Sequence, residues 1–86
     1  MRIEKKILPE YFKKVVSGDK KFELRLADWE CNVGDILILR EWDPTKKDYT
    51  GASIEKEVSC LIKTKEQKFF TDEDVNKYGF QIIGFK

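Results

Sequence analysis

Pro9 and Gly18 restrict the folding of this chain more than any other two residues. Proline has no backbone N–H and a φ close to the helical value. It suits the first turn of a helix, where that N–H would have no partner. Glycine adopts the left-handed conformation that ends a helix and that other residues avoid. Between them, Phe12, Val15 and Val16 fall in line with Leu8 at helical spacing, while Lys13 and Lys14 turn toward water. The spacing predicts a short amphipathic helix over 9–17. In residues 2–8, Ile3, Lys5 and Ile7 point one way and Glu4, Lys6 and Leu8 the other, which predicts a strand.

The segment after the helix is Gly18-Asp19-Lys20-Lys21-Phe22-Glu23-Leu24-Arg25, of the form G-x-K-x-x-E-x-R. Read as a strand over 20–26, its side chains alternate between two faces. Phe22, Leu24 and Leu26 share one. Lys21, Glu23 and Arg25 share the other, with Lys20 at the entrance. Downstream, 27–34 reads as a loop and 35–42 as a strand, with the run Ile36–Leu39 buried on both faces. Asp43 to Asp48 reads as a polar turn around Pro44. A long strand over 52–63 sets Ile54, Val58, Cys60 and Ile62 against Glu55, Glu57 and Ser59. Lys56 interrupts the apolar face, as an edge residue or a snorkelling stem would. Thr71 caps a short helical turn whose first residues, Asp72, Glu73 and Asp74, suit its positive end. Gly79 ends that turn, and 80–85 reads as a last strand.

Eighty-six residues make one domain, 1–86, whose folding hides only about 60–65% of the unfolded surface. A cleft between sheet and helix fits that size better than a deep internal site. Apolar residues at 41% suffice for a core. The net charge is +1, but its distribution is uneven. Residues 1–25 hold eight Lys or Arg against four Asp or Glu, and the remainder nine against twelve. A basic entrance of this kind orients an anionic partner. No histidine is present, so the usual zinc ligand and the usual neutral-pH base are missing. Cys31 and Cys60 are too few and too far apart for a disulfide framework or a metal site. No cofactor or metal is expected. No apolar run reaches the roughly 20 residues of a membrane span, and the expectation is a cytoplasmic monomer.

The G-x-K-x-x-E-x-R segment resembles the signature of ASCH domains in the PUA-like superfamily, in particular a small bacterial and phage branch of that group. The resemblance continues in order through Ile7-Leu8-Pro9-Glu10-Tyr11-Phe12, Val33 to Pro44, Tyr49-Thr50-Gly51 and the closing Gly79-Phe80. It implies an α+β fold, a small PUA-like mixed β-barrel of about five strands with one early helix and a short late helical turn. It also implies a cleft lined by Lys20, Glu23 and Arg25. Relatives often begin the first strand with a histidine. Ile3 stands at that position here, so no titrating group is available there.

Two functions follow as expectations. The first is a nucleic-acid-binding module for RNA or a nucleotide-like ligand. Lys6, Lys20 and Arg25 would meet phosphate, since the planar guanidinium fork matches it. Glu23 would orient Arg25, or accept from an exocyclic amine. Trp42 and Tyr49 would stack an unpaired base, a contact worth about 1–3 kcal/mol. The alternative is a small amidohydrolase acting on N4-acylated cytidine-like substrates, the activity of some ASCH relatives that use a lysine, a threonine and a glutamate. Lys20 and Glu23 would then be the catalytic candidates, although Glu23 stands where the threonine is expected. The bland reading of the same residues is an ion pair on an exposed strand. Trp29 is the weakest aromatic candidate. Phe12, Phe22, Phe80 and Phe85 are assigned to the core. The short lysine clusters at 46–47 and 63–68 read as solvated surface.

Overall fold

The computed structural model describes residues 1–86. Strand β1 (Arg2–Ile7) leads through Leu8 into helix α1 (Pro9–Ser17). A long segment without regular structure then runs to strand β2 (Ile36–Asp43), which turns into strand β3 (Asp48–Glu57). A single 3₁₀ turn (Thr64–Glu66) and helix α2 (Asp72–Tyr78) follow. The sheet is open and mixed, in the order β1-β2-β3. β1 lies parallel to β2, with Arg2 opposite Ile36 and Lys6 opposite Arg40. β2 and β3 are antiparallel, with Leu39 opposite Ile54 and Trp42 opposite Tyr49.

Helix α1 forms for the reasons its sequence suggests. Pro9 occupies the first turn, and Gly18 closes the last at φ 86°, with its N–H donating to the Val15 carbonyl. The helix lays Val15 on the sheet, where it meets Ile7 and Leu39. Leu39, on the central strand, is only 1% exposed. Phe12, Leu37 and Ile54 pack around this nucleus. The alternation of β1 places Ile7 toward the helix and Lys6 on the opposite face.

The β2–β3 hairpin turns where Asp43 accepts backbone N–H bonds from Thr45 (2.8 Å) and Lys46 (3.3 Å). This is the local bonding by which aspartate favours turns over strands. β3 carries Gly51 at φ 97°, beside a register irregularity between Arg40 and Trp42. A glycine in the left-handed region absorbs the extra residues of such a bulge without steric cost. Pairing continues just past the ladder: Asp35 and Val58 are bonded through Val58 N–H to the Asp35 carbonyl, and Gly34 N–H donates to the Val58 carbonyl, both at 2.8 Å.

Four expectations are corrected. The sheet has three strands and is open, so the five-stranded closed barrel is not observed. Residues 20–26 alternate as a strand would but pair with no neighbour, and Lys20, Glu23 and Arg25 bond one another instead. The long strand begins at Asp48 and ends at Glu57, earlier at both ends than read, so Cys60 and Ile62 lie beyond it and are exposed. Residues 80–85 form no strand. The core is correspondingly smaller. Phe22, Phe80 and Phe85 lie outside it, with Phe85 81% exposed, and Leu8 and Val16 are partly to largely open to water. One helix over one sheet face offers no second layer for these side chains. Phe22 instead packs on the C-terminal segment, where a Cβ added at Gly84 would lie 2.7 Å from its ring. Phe80 meets Phe70 edge-on, with ring centroids 6.2 Å apart.

Candidate functional site

The crossover from α1 to β2 carries the motif, and the end of the helix sets where it starts. Lys20 N–H donates to the Lys14 carbonyl at 2.9 Å, drawing Lys20 back against the negative end of α1. From there the chain runs past the end of β1. Lys20 Nζ donates to Glu23 Oε1 at 2.5 Å and to the Phe22 carbonyl at 2.8 Å. Arg25 Nε donates to Glu23 Oε2 at 2.9 Å. A second guanidinium nitrogen of Arg25 donates to the backbone carbonyl of Lys6. Both oxygens of Glu23 are therefore held, and the trio is tied to β1.

These groups are partly withdrawn from water. Side-chain exposure is 13% for Lys20, 16% for Glu23 and 29% for Arg25. They wall a cleft of about 600 Å³ together with Lys6, Leu8, Tyr11 and Lys14. Charge in the cleft is unbalanced: Lys14, Lys20 and Arg25 face Asp19 and Glu23, while Lys6 meets the cleft through its backbone. The donors are not exhausted. An ammonium has three N–H groups and a guanidinium five; Lys20 and Arg25 each spend two inside the protein. The rest are available to an anion.

Trp42 and Tyr49 do not line this cleft. They form a platform on the sheet face away from α1, and Lys6 joins the two places. The Lys6 carbonyl receives Arg25, while its ammonium sits 4.6 Å from the centre of the Trp42 ring and 5.8 Å from that of Tyr49. Arg40, opposite Lys6 in register, places its guanidinium carbon 3.9 Å from the Tyr49 ring centre. Cations at such distances are attracted to the negative face of the ring. Trp29 stands apart, under the Lys5 ammonium at 4.2 Å.

The structure brings Lys20, Glu23 and Arg25 together with the Lys6 carbonyl, and places Tyr11 and Lys14 beside them and Arg40 beside Tyr49. In the sequence, Lys14 and Tyr11 are legible only as helix residues. The sign that they flank Lys20 was the glycine stop, which turns the chain back along the last helical turn. Arg40 follows from strand register alone.

No group of histidines, cysteines and acids in the structure is placed to hold a metal ion. No helix is long and apolar enough to cross a membrane. Asp35, outside the cleft, is buried and accepts from the Met1 α-ammonium and from Asn32 N–H, both at 2.9 Å. The ammonium first, and then the amide, hold its carboxyl below the ordinary carboxylate range, with burial acting in the opposite direction.

Comparison with curated proteins and with solved structures returned no match. A family model described as a domain of unknown function (DUF3850) matches residues 4–76, a span holding most of β1, the motif, the whole hairpin and most of α2, and the chain belongs to that family.

Proposed function

We propose that this chain is a nucleic-acid-binding module that takes single-stranded RNA across the end of β1. In this reading the surplus donors of Lys20 and Arg25 hold a backbone phosphate in the cleft. An adjacent unpaired base stacks on the Trp42–Tyr49 platform. Unpaired RNA offers such faces, whereas an A-form duplex hides its base edges. Glu23 serves as the brace that aims both cations.

The supporting observation is the position of Lys6, whose carbonyl accepts from Arg25 while its ammonium lies over Trp42. One residue thus couples an anion-binding corner to an aromatic face, the two parts that single-strand recognition combines. The resemblance of the motif to ASCH domains points the same way. The hydrolytic alternative is less favoured, because Glu23, where the threonine nucleophile is expected, is held on both oxygens by Lys20 and Arg25.

The test is a titration of labelled single-stranded RNA and DNA octamers at low and moderate salt. The one phosphate held in the cleft implies a log K against log salt slope of about −0.7. Arg25→Ala should weaken RNA binding and flatten the slope. Trp42→Ala should weaken binding and leave the slope unchanged. Absence of RNA binding by the wild type at low salt refutes the proposal.

A further inference from the structure

The residues of the motif wall two spaces. Behind the cleft lies a second cavity of about 640 Å³. It is a half-open trough between the crossover segment and the chain that leaves β3, and Leu24, Leu26 and Ile62 of its walls are largely exposed. Val15, Leu37 and Leu39 form its floor, and Ile82 of the C-terminal segment reaches its rim. Most of its lining is hydrophobic, but its charged groups are one-sided, with five Lys or Arg against Glu23 and Glu57. Lys20, Glu23 and Arg25 belong to both spaces.

This is the composition of a small-molecule site. Such sites run from about 300 to 1,000 Å³ and are apolar, with a few polar groups that fix orientation. An apolar interior alone would suit any oily guest. The cationic rim selects among them. Lys20 and Arg25 keep N–H groups that Glu23 and the backbone do not use, and Lys21, Lys56 and Lys63 add charge of the same sign. A neutral guest would leave those donors without a purpose, and a compact hydrophilic anion would leave the floor bare. An anion carrying an aliphatic tail uses both.

We infer that this cavity is a binding site for a medium-chain fatty-acid carboxylate, with the alkyl chain on the Val15–Leu37–Leu39 floor and the carboxylate at Lys20 and Arg25. The site stands apart from the aromatic platform and does not need it. It shares Lys20, Arg25 and their brace Glu23 with the RNA-binding reading.

Decanoate is the probe, titrated below its micellar concentration into ¹⁵N-labelled protein and followed by amide shifts. Saturable shifts should centre on Gly18, Cys31 and Ile82. Each buried methylene raises affinity about fourfold, so decanoate should bind on the order of 100-fold more tightly than hexanoate. Decanol should bind at least about tenfold more weakly than decanoate, because it cannot take the charge-assisted bonds. Ile82→Glu, at a half-exposed position, should weaken decanoate by a similar factor and leave RNA binding intact. The inference is overturned by equal affinity for decanoate and hexanoate. It is equally overturned by equal affinity for decanoate and decanol, or by wild-type shifts confined to the exposed Phe69 and Phe85. The wild-type titrations decide the matter even where Ile82→Glu fails to fold.

Discussion

Replacing Glu23 by glutamine tests the organisation of the site most directly. The substitution keeps the volume and removes the charge. Glu23 accepts from Lys20 at 2.5 Å and from Arg25 at 2.9 Å, with all three side chains less than a third exposed. Breaking a fully buried pair costs about 3–5 kcal/mol, because a charge is left without a partner. A solvent-exposed pair is worth about 0.2–1 kcal/mol. The trio lies between these limits, and water reaching Arg25 lowers the cost, which places the loss at roughly 1–2 kcal/mol. For a domain of this size each kcal/mol moves Tm by about 4–8 °C, so Glu23→Gln should melt roughly 4–16 °C below the wild type. The internal control is the Arg2–Glu55 pair, whose side chains are 61% and 51% exposed. Arg2→Gln should cost under about 1 kcal/mol. Urea denaturation of Glu23→Gln, Arg25→Gln and Glu23→Gln/Arg25→Gln gives the coupling between Glu23 and Arg25, with Arg2→Gln as the exposed control. If Glu23→Gln is no more costly than Arg2→Gln, and the coupling is near zero, the trio is not the brace described here.

Gly18→Ala must hold a side chain at φ 86°, and should lose about 1–2 kcal/mol in denaturant unfolding as the helix stop and the placement of Lys20 are disturbed. Asp35 has a folded-state pKa below its unfolded value, so its contribution is complete above the ordinary aspartate range and fades as pH falls through the depressed folded value. Asp35→Asn should therefore shallow the acid side of a stability–pH profile and be indifferent to pH changes near neutrality. Thr71 caps α2 by accepting from Asp74 N–H at 3.2 Å, yet α2 buries no residue. Thr71→Ala should speed hydrogen exchange across 72–78 while leaving the global melt almost unchanged.

The parts of this fold legible in the sequence are those decided within a few residues. Pro9 and Gly18 bounded α1, alternation marked β1, and Thr71 with Gly79 bounded α2, because caps and stops act over a single turn. The beginning of β3 was read four residues late. Asp48 looks like a turn residue and Gly51 like a break, and only the pairing with Asp43 and Trp42 places Asp48 and Tyr49 in the strand. The segment 20–26 failed for the converse reason. Its alternation was real, but alternation states which way side chains point and not whether another backbone lies alongside to complete a ladder.

Among the site residues, Lys20, Glu23 and Arg25 were identifiable because their charges recur at short spacing on one chain segment. Lys6 joins them only through its backbone carbonyl, an atom that no residue type advertises.

By itself, the sequence determined the local turns, the helix and its two ends, and the presence of three complementary charges beside them. Each depends on φ preferences or on neighbours a few residues away. Tertiary structure alone decided that three strands make an open sheet, that the trio is tied to β1, and that its residues separate a cationic cleft from an apolar cavity. Those outcomes depend on which distant backbone segments come together, and that is set by the sum of many weak contacts rather than by any motif.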